Sequence, residues 1–154
     1  MYLQGAGRLK CVLRLELYEF FESEVKRKSN LSKQAKNEAK SFAVAAANLA
    51  RGRHCTDIAV LDLKGLSPAT DYFVIATGTS DRQMRTVADE IRESAGGYGF
   101  AVFGRAGYEQ ARWILLDFID VVVHIFDEEY REYYELEYLW GDARRINWQR
   151  FSKK

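Results

Sequence analysis

Residues Tyr72–Thr77 (YFVIAT) form a short run that is apolar at nearly every position, followed at once by Gly78-Thr79-Ser80 and a helical pattern. Such a strand carries apolar side chains on both faces, so it belongs at the centre of a sheet covered on both sides. Asp57–Leu63 (DIAVLDL) has the same character. Lys64-Gly65-Leu66-Ser67-Pro68 separates the two as a loop. A chain with two such strands must supply helices to cover them.

The first covering helix is read at Lys33–Arg51. Ala35, Ala39, Phe42, Ala43, Ala46, Leu49 and Ala50 make one continuous face at helical spacing. The face is mostly Ala, which permits close packing, and Gly52 follows as a residue suited to a left-handed helix end. Ser80 and Gln83 have the spacing of a capping box, so a second helix is read at Asp81–Ala95. Met84, Val87, Ala88 and Ile91 are its inner face, and Gly96-Gly97-Tyr98-Gly99 ends it. Three more strands are expected at Phe100–Gly104, Arg112–Leu116 and Asp120–Phe126. The last two are joined by Asp117-Phe118-Ile119, which indicates an antiparallel hairpin. A final helix is read from Asp127 or Glu128 to Leu139, with acids in its first turn. This order predicts an α/β fold: a mixed five-stranded sheet flanked by helices, not a strictly alternating βα fold.

Composition sets further bounds. The chain has 154 residues, 47% of them hydrophobic, enough for one packed core without staples. Twenty-three Lys and Arg offset 22 Asp and Glu, and a net charge of +1 argues against holding nucleic acid by bulk charge. Cys11 and Cys55 are too few for a secreted disulfide framework, which favours a reducing compartment with free thiols. Arg8, Lys10, Arg14 and Glu16 interrupt any signal-peptide core. The apolar helical stretch Phe42–Ala50 is about half the roughly 18 residues of a membrane span. No membrane contact and a cytoplasmic location are therefore expected. Three regions follow: an N-terminal extension, 1–32, read as a solvated leader with no role or as a tether; a folded domain, 33–142; and a basic C-terminal tail, 143–154.

Signals for chemistry are weak. Gly78-Thr79-Ser80 leads into a helix N-terminus that suits a phosphate, but lacks both the P-loop lysine and GxGxxG. Ser80 capping its own helix explains the same residues. Asp57 and Asp62, five apart on one strand, point to opposite faces. Asp117 and Asp120 flank a turn, where Asp commonly serves local hydrogen bonds. His124, inside an apolar strand, reads as a hydrogen-bonded structural residue, and His54 with Cys55 falls short of a four-ligand zinc site. No catalytic residue, metal or cofactor is assigned. The alternative is a magnesium-dependent, nucleotidyltransferase-like enzyme using Gly78-Thr79-Ser80 with Asp117 or Asp120.

The most distinctive stretch is Asp127–Trp140 (DEEYREYYELEYLW). It holds six acids against the single base Arg131, interleaved with Tyr130, Tyr133, Tyr134, Tyr138 and Trp140. On one helix Tyr133, Leu136 and Trp140 share a face that packs on the sheet, leaving the acids as an exposed stripe. Such a stripe is either a solvated helix face or a docking surface for a basic protein. The tail bases Arg144, Arg145, Arg150, Lys153 and Lys154 are either candidates for contact with a phosphate backbone or part of a disordered tail.

In order along the chain, several pieces resemble the ribosomal silencing factor family, also called Iojap-like proteins. They are Asp57–Leu63, Thr70–Ser80, Arg82, Gly99, Trp113–Asp117, Asp120–His124, Tyr133–Glu137 and Leu139-Trp140. The resemblance covers roughly residues 33–142. It implies a fold related to nucleotidyltransferases without a working active site. It also implies a translation repressor that binds the large ribosomal subunit, through its fourteenth ribosomal protein, and sterically blocks joining with the small subunit. That activity needs no cofactor, and a role in large-subunit assembly belongs to the same implication. Trp113, Asp117, Asp120, Tyr133, Glu135 and Trp140 are the residues expected to form or support the docking surface. The basic tail is expected near ribosomal RNA, and an exposed sheet edge offers a route to a homodimer. The chain departs from the family at Ile119, where the family usually has Gly. A β-branched residue disfavours positive φ, so the hairpin turn is expected to take another shape.

Overall fold

The computed structural model describes residues 33–151. The N-terminal extension 1–32, with Cys11 and Lys26-Arg27-Lys28, and the tail bases Lys153 and Lys154 lie outside the described residues, as does the side chain of Arg150. The elements are α1 (Lys33–Gly52), β1 (Thr56–Asp62), β2 (Tyr72–Thr77), α2 (Asp81–Ala95), β3 (Gly104–Ala106), β4 (Trp113–Asp117), β5 (Val121–Phe126), α3 (Glu128–Tyr134), α4 (Leu136–Leu139) and β6 (Arg144–Arg145). A 3₁₀ turn follows α2 at Gly96–Tyr98 and another lies at Trp148–Phe151. Among the described residues no helix is long and apolar enough to cross a membrane.

The sheet is mixed, with strand order β3-β4-β5-β2-β1-β6. The doubly apolar β2 sits near its middle, parallel to β5 and antiparallel to β1. Every residue of β2 and of β5 is buried. β4 and β5 form the expected antiparallel hairpin. One sheet face, with Val60, Tyr72, Val74, Ala76, Ile114, Val123 and Ile125, packs on α1 and α2. Ala39, Ala43, Ala46 and Ala50 of α1 are fully buried, so the small face does allow the close approach that its composition suggests. Phe42 anchors the far end of this layer, edge-on to Phe118 at 4.9 Å and stacked on Phe100 at 5.2 Å.

Four details differ from the sequence reading. Among the described residues the sheet has six strands, not five. The sixth, Arg144–Arg145, carries no apolar pattern; it pairs with Leu61 and Asp62 and is held by the buried Ile146 and Trp148 that follow. β3 begins at Gly104 rather than Phe100, because its ladder partner β4 ends at Asp117 and Phe100 is engaged in ring packing on α1. The left-handed turn after α1 falls at His54 (φ 65°), two residues beyond Gly52. The single helix expected over 128–139 is broken at Glu135, which adopts φ 46° and ψ 51°.

The break has a visible reason. Arg131 and Glu137 are six residues apart and on one straight helix would point about 120° away from each other. The left-handed Glu135 brings them together as an ion pair. It also buries Leu136 while Trp140 reaches across to Phe73. Glu137 joins Arg145 of β6 as well, and Arg144 faces Asp62 at 3.8 Å, so opposite charges fasten the short edge strand.

Candidate docking surface

The second sheet face is covered differently. Leu61, Phe73, Ile75, Val122, Phe126 and Leu136 are buried there, and among the described residues the helices on this side are the short α3 and α4. Seven apolar side chains, Trp113, Leu115, Tyr130, Tyr134, Leu139, Trp140 and Ala143, pack on that cluster while remaining partly exposed. The side chains of β4 and β5 alternate, which sends Trp113, Leu115, Val122, His124 and Phe126 to this same face.

The rings form a connected path. Tyr133 stands edge-on to Tyr134 at 4.9 Å, and Tyr134 lies 4.9 Å from Trp113. Trp113 stacks on Phe126 at 4.9 Å and lies 5.8 Å from His124. His124 meets Phe73 at 4.5 Å, and Phe73 meets Trp140 edge-on at 5.8 Å. Contacts of this kind contribute roughly 0.5–1.5 kcal/mol each beyond area burial. Gly107 permits the start of β4: its φ is 73°, and a Cβ there would stand 1.8 Å from the carbonyl oxygen of Trp113.

The structure thus brings three of the six expected residues, Trp113, Tyr133 and Trp140, onto one aromatic surface. Glu135 is exposed at the α3–α4 break beside them. Asp117 and Asp120 are placed elsewhere, at the hairpin turn, four and seven residues beyond Trp113. Both are buried. Asp117 Oδ1 accepts the Ile119 N–H at 2.8 Å, and the Asp120 carbonyl accepts the N–H groups of Asp71 and Tyr72. They hold the turn. Ile119 adopts φ 72°, so the turn keeps a left-handed residue at this position despite the β-branched side chain. The sequence reading did not single out Phe73 or Leu115 for this surface; strand parity was the signal that points to Leu115.

The charges around the surface are partly neutralised. Arg112 binds Asp127 and Glu129 and lies over the Tyr130 ring at 4.4 Å. Both carboxylates hold its guanidinium above its ordinary pKa. Glu137 is shared by Arg131 and Arg145. Glu128, Glu132 and Glu135 are exposed, and with Asp127, Glu129 and Glu137 paired to arginines the acidic fringe is thinner than the sequence suggests. Arg131 is the hub: it donates to Thr77 Oγ1 at 3.1 Å, to the Asp57 carbonyl at 2.7 Å and to Glu137. Burial, and secondarily the Arg131 charge, lowers the His124 pKa to about 3, so its imidazole is neutral at pH 7.

A separate cleft of about 560 Å³ opens at the carboxyl ends of β2 and β5, lined by Thr56, Asp57, Thr77, Gly78, Thr79 and Asp127–Glu129. Ser80 Oγ accepts the Gln83 N–H at 3.2 Å, and Gln83 Oε1 accepts the Thr79 N–H at 2.6 Å, so these groups cap α2. Gly78 leaves room for the buried Met84 side chain, since a Cβ there would lie 2.3 Å from Met84 Cγ and force it to shift. Asp127 caps α3 through the Tyr130 N–H. Among the described residues no group of three or more His, Cys, Asp or Glu is arranged to hold a metal ion. Cys55 is free and buried, and burial raises its thiol pKa to about 11.

Fold and surface define an α/β domain with one sheet face sealed by helices and the other presenting a half-open aromatic patch. The family model described as "Ribosomal silencing factor during starvation" matches residues 34–154. Ribosomal silencing factor RsfS of Bacillus subtilis (strain 168) is 44% identical over 104 residues, 68% of this chain and 88% of that protein. Protein Iojap, chloroplastic, of Zea mays is 38% identical over 109 residues, 71% of this chain and 47% of that protein. A solved structure from Bacillus halodurans superposes with a TM-score of 0.59 at 36% identity, over 72% of this chain and 98% of its own. The chain belongs to the ribosomal silencing factor family.

Proposed function

We propose that the protein represses translation by binding the large ribosomal subunit in the cytoplasm, through its fourteenth ribosomal protein, and excluding the small subunit. The family match over residues 34–154 carries this reading. The half-open aromatic patch supports it, because partly exposed Trp and Tyr on a rigid sheet are the side chains that anchor protein interfaces. Trp113, Tyr133 and Trp140 supply the contact, exposed acids including Glu135 steer a basic partner, and Asp117 and Asp120 hold the hairpin that presents Trp113. The same occupancy acts when nutrients are scarce or during subunit assembly.

The mechanism is steric and makes or breaks no bond. In this reading the cleft beside Gly78 is the remnant of a nucleotidyltransferase-like site whose polar groups now cap helices. Arg144 and Arg145, with side chains 75% and 66% exposed, remain open to an RNA phosphate while paired with acids. The β3 edge, beside the exposed Val102 and Phe103, is the route to a homodimer. Sedimentation with isolated subunits tests the reading: binding to large subunits at micromolar concentration and not to small ones supports it, and absence of binding to large subunits rejects it.

A further inference from the structure

The imidazole of His124 stands where the rest of its strand is apolar: Val121, Val122, Val123, Ile125 and Phe126 are its neighbours. It is completely buried. Among the described residues its Nε2 meets no hydrogen-bond partner. Burying an imidazole this way costs free energy that a phenyl ring in the same space would not. The polar contact that compensates is with Trp113, whose indole Nε1–H donates to His124 Nδ1 at 3.1 Å. An indole nitrogen only donates, so Nδ1 is the unprotonated nitrogen and the imidazole proton resides on Nε2. Trp113 pairs with Phe126 across the hairpin and His124 with Leu115, so this is a diagonal cross-strand contact on the half-open face.

We propose that His124 is a positioning residue of the docking surface. It fixes the plane of the Trp113 indole before a partner arrives, and it already satisfies the indole N–H, so docking leaves no unpaired donor there. A preset ring loses less conformational freedom on binding, and a satisfied donor avoids the penalty of an unpaired buried group. The proposal rests on the reading that Trp113 contacts the large subunit.

Three variants of the full chain and one spectrum of the unaltered protein test it. His124→Phe keeps the ring and removes the acceptor. His124→Asn keeps an acceptor oxygen near the place of Nδ1. Trp113→Phe identifies the Trp113 indole resonance, and with it the indole's own contribution to binding. His124→Phe is expected to shift that resonance upfield and weaken large-subunit binding about tenfold, while His124→Asn holds both within about twofold. Equal binding by wild type and His124→Phe, alongside a loss in Trp113→Phe, overturns the positioning role alone. Equal weakening by folded His124→Phe and His124→Asn also overturns it, since packing then explains the effect. Undiminished binding by Trp113→Phe removes the docking reading and the proposal with it. In the unaltered protein, long-range proton–nitrogen spectra must show His124 protonated at Nε2; protonation at Nδ1 overturns the proposal even where a variant does not fold.

Discussion

The Asp117 carboxylate accepts the backbone N–H of Ile119 at 2.8 Å, two residues on, and holds that β-branched residue at φ 72°. A non-glycine residue in this region costs on the order of 1–2 kcal/mol, and glycine removes most of that cost while adding unfolded-state entropy. Ile119→Gly is therefore expected to raise the unfolding free energy by about 0.5–1 kcal/mol. Asp117→Ala, which strips a buried acceptor from the turn, is expected to lower it by about 2 kcal/mol. Urea unfolding measures both, and a destabilised Ile119→Gly protein contradicts the strain argument.

His124 couples stability to pH. Its pKa falls from 6.5 to about 3 on folding, first through burial and then through the Arg131 charge. Between these values the unfolded chain binds the extra proton, so this group's contribution is complete above about pH 6.5 and is lost as pH falls toward 3. From pH 7.5 to 5 it removes about 2 kcal/mol. Unfolding free energies of wild type and His124→Asn across that range should converge as pH drops. Parallel profiles contradict the assignment.

Much of this was legible in the sequence because local rules and tertiary needs agreed. The run Tyr72–Thr77 is a strand with the bounds read from its apolar residues, and Ser80 with Gln83 caps α2 as their spacing suggests. The failures lie where a distant partner decides. Glu135 carries no signal for a left-handed break; Arg131, Glu137 and Phe73 impose it from other positions. Arg144-Arg145 has no strand pattern, and becomes one because Asp62 and Glu137 stand opposite. Of the residues expected at a docking surface, Trp113, Tyr133 and Trp140 converge because the sheet brings α3, α4 and β4 to one face, whereas Asp117 and Asp120 sit in the hairpin turn and hold it.

Arg131 ties α3 to the end of β2, to the bulge at Asp57 and to α4, with its side chain only 12% exposed. Arg131→Met keeps the stem and removes the donors, leaving Glu137 and the Asp57 carbonyl short of a partner. Charged hydrogen bonds contribute about 1.5–3 kcal/mol each, so a loss of about 3 kcal/mol is expected. Amide exchange should quicken in α3 and α4 before the central strands. Unchanged protection there contradicts the hub role.

Ser80 serves the fold and lies apart from the aromatic face. Ser80→Ala should cost about 1 kcal/mol of stability through loss of the α2 cap. Large-subunit binding by this variant is expected to equal wild type. Loss of binding without loss of stability would give the start of α2, beside the cleft at Gly78 and Thr79, a direct role in partner contact.

Subunit joining followed by light scattering tests most directly the proposed exclusion of the small subunit by a protein docked through its aromatic face. Wild-type protein added to large subunits before small ones should suppress formation of joined ribosomes, while Trp113→Ala at the same concentration should leave joining nearly intact. Joining that proceeds unhindered with wild-type protein bound to the large subunit contradicts the account.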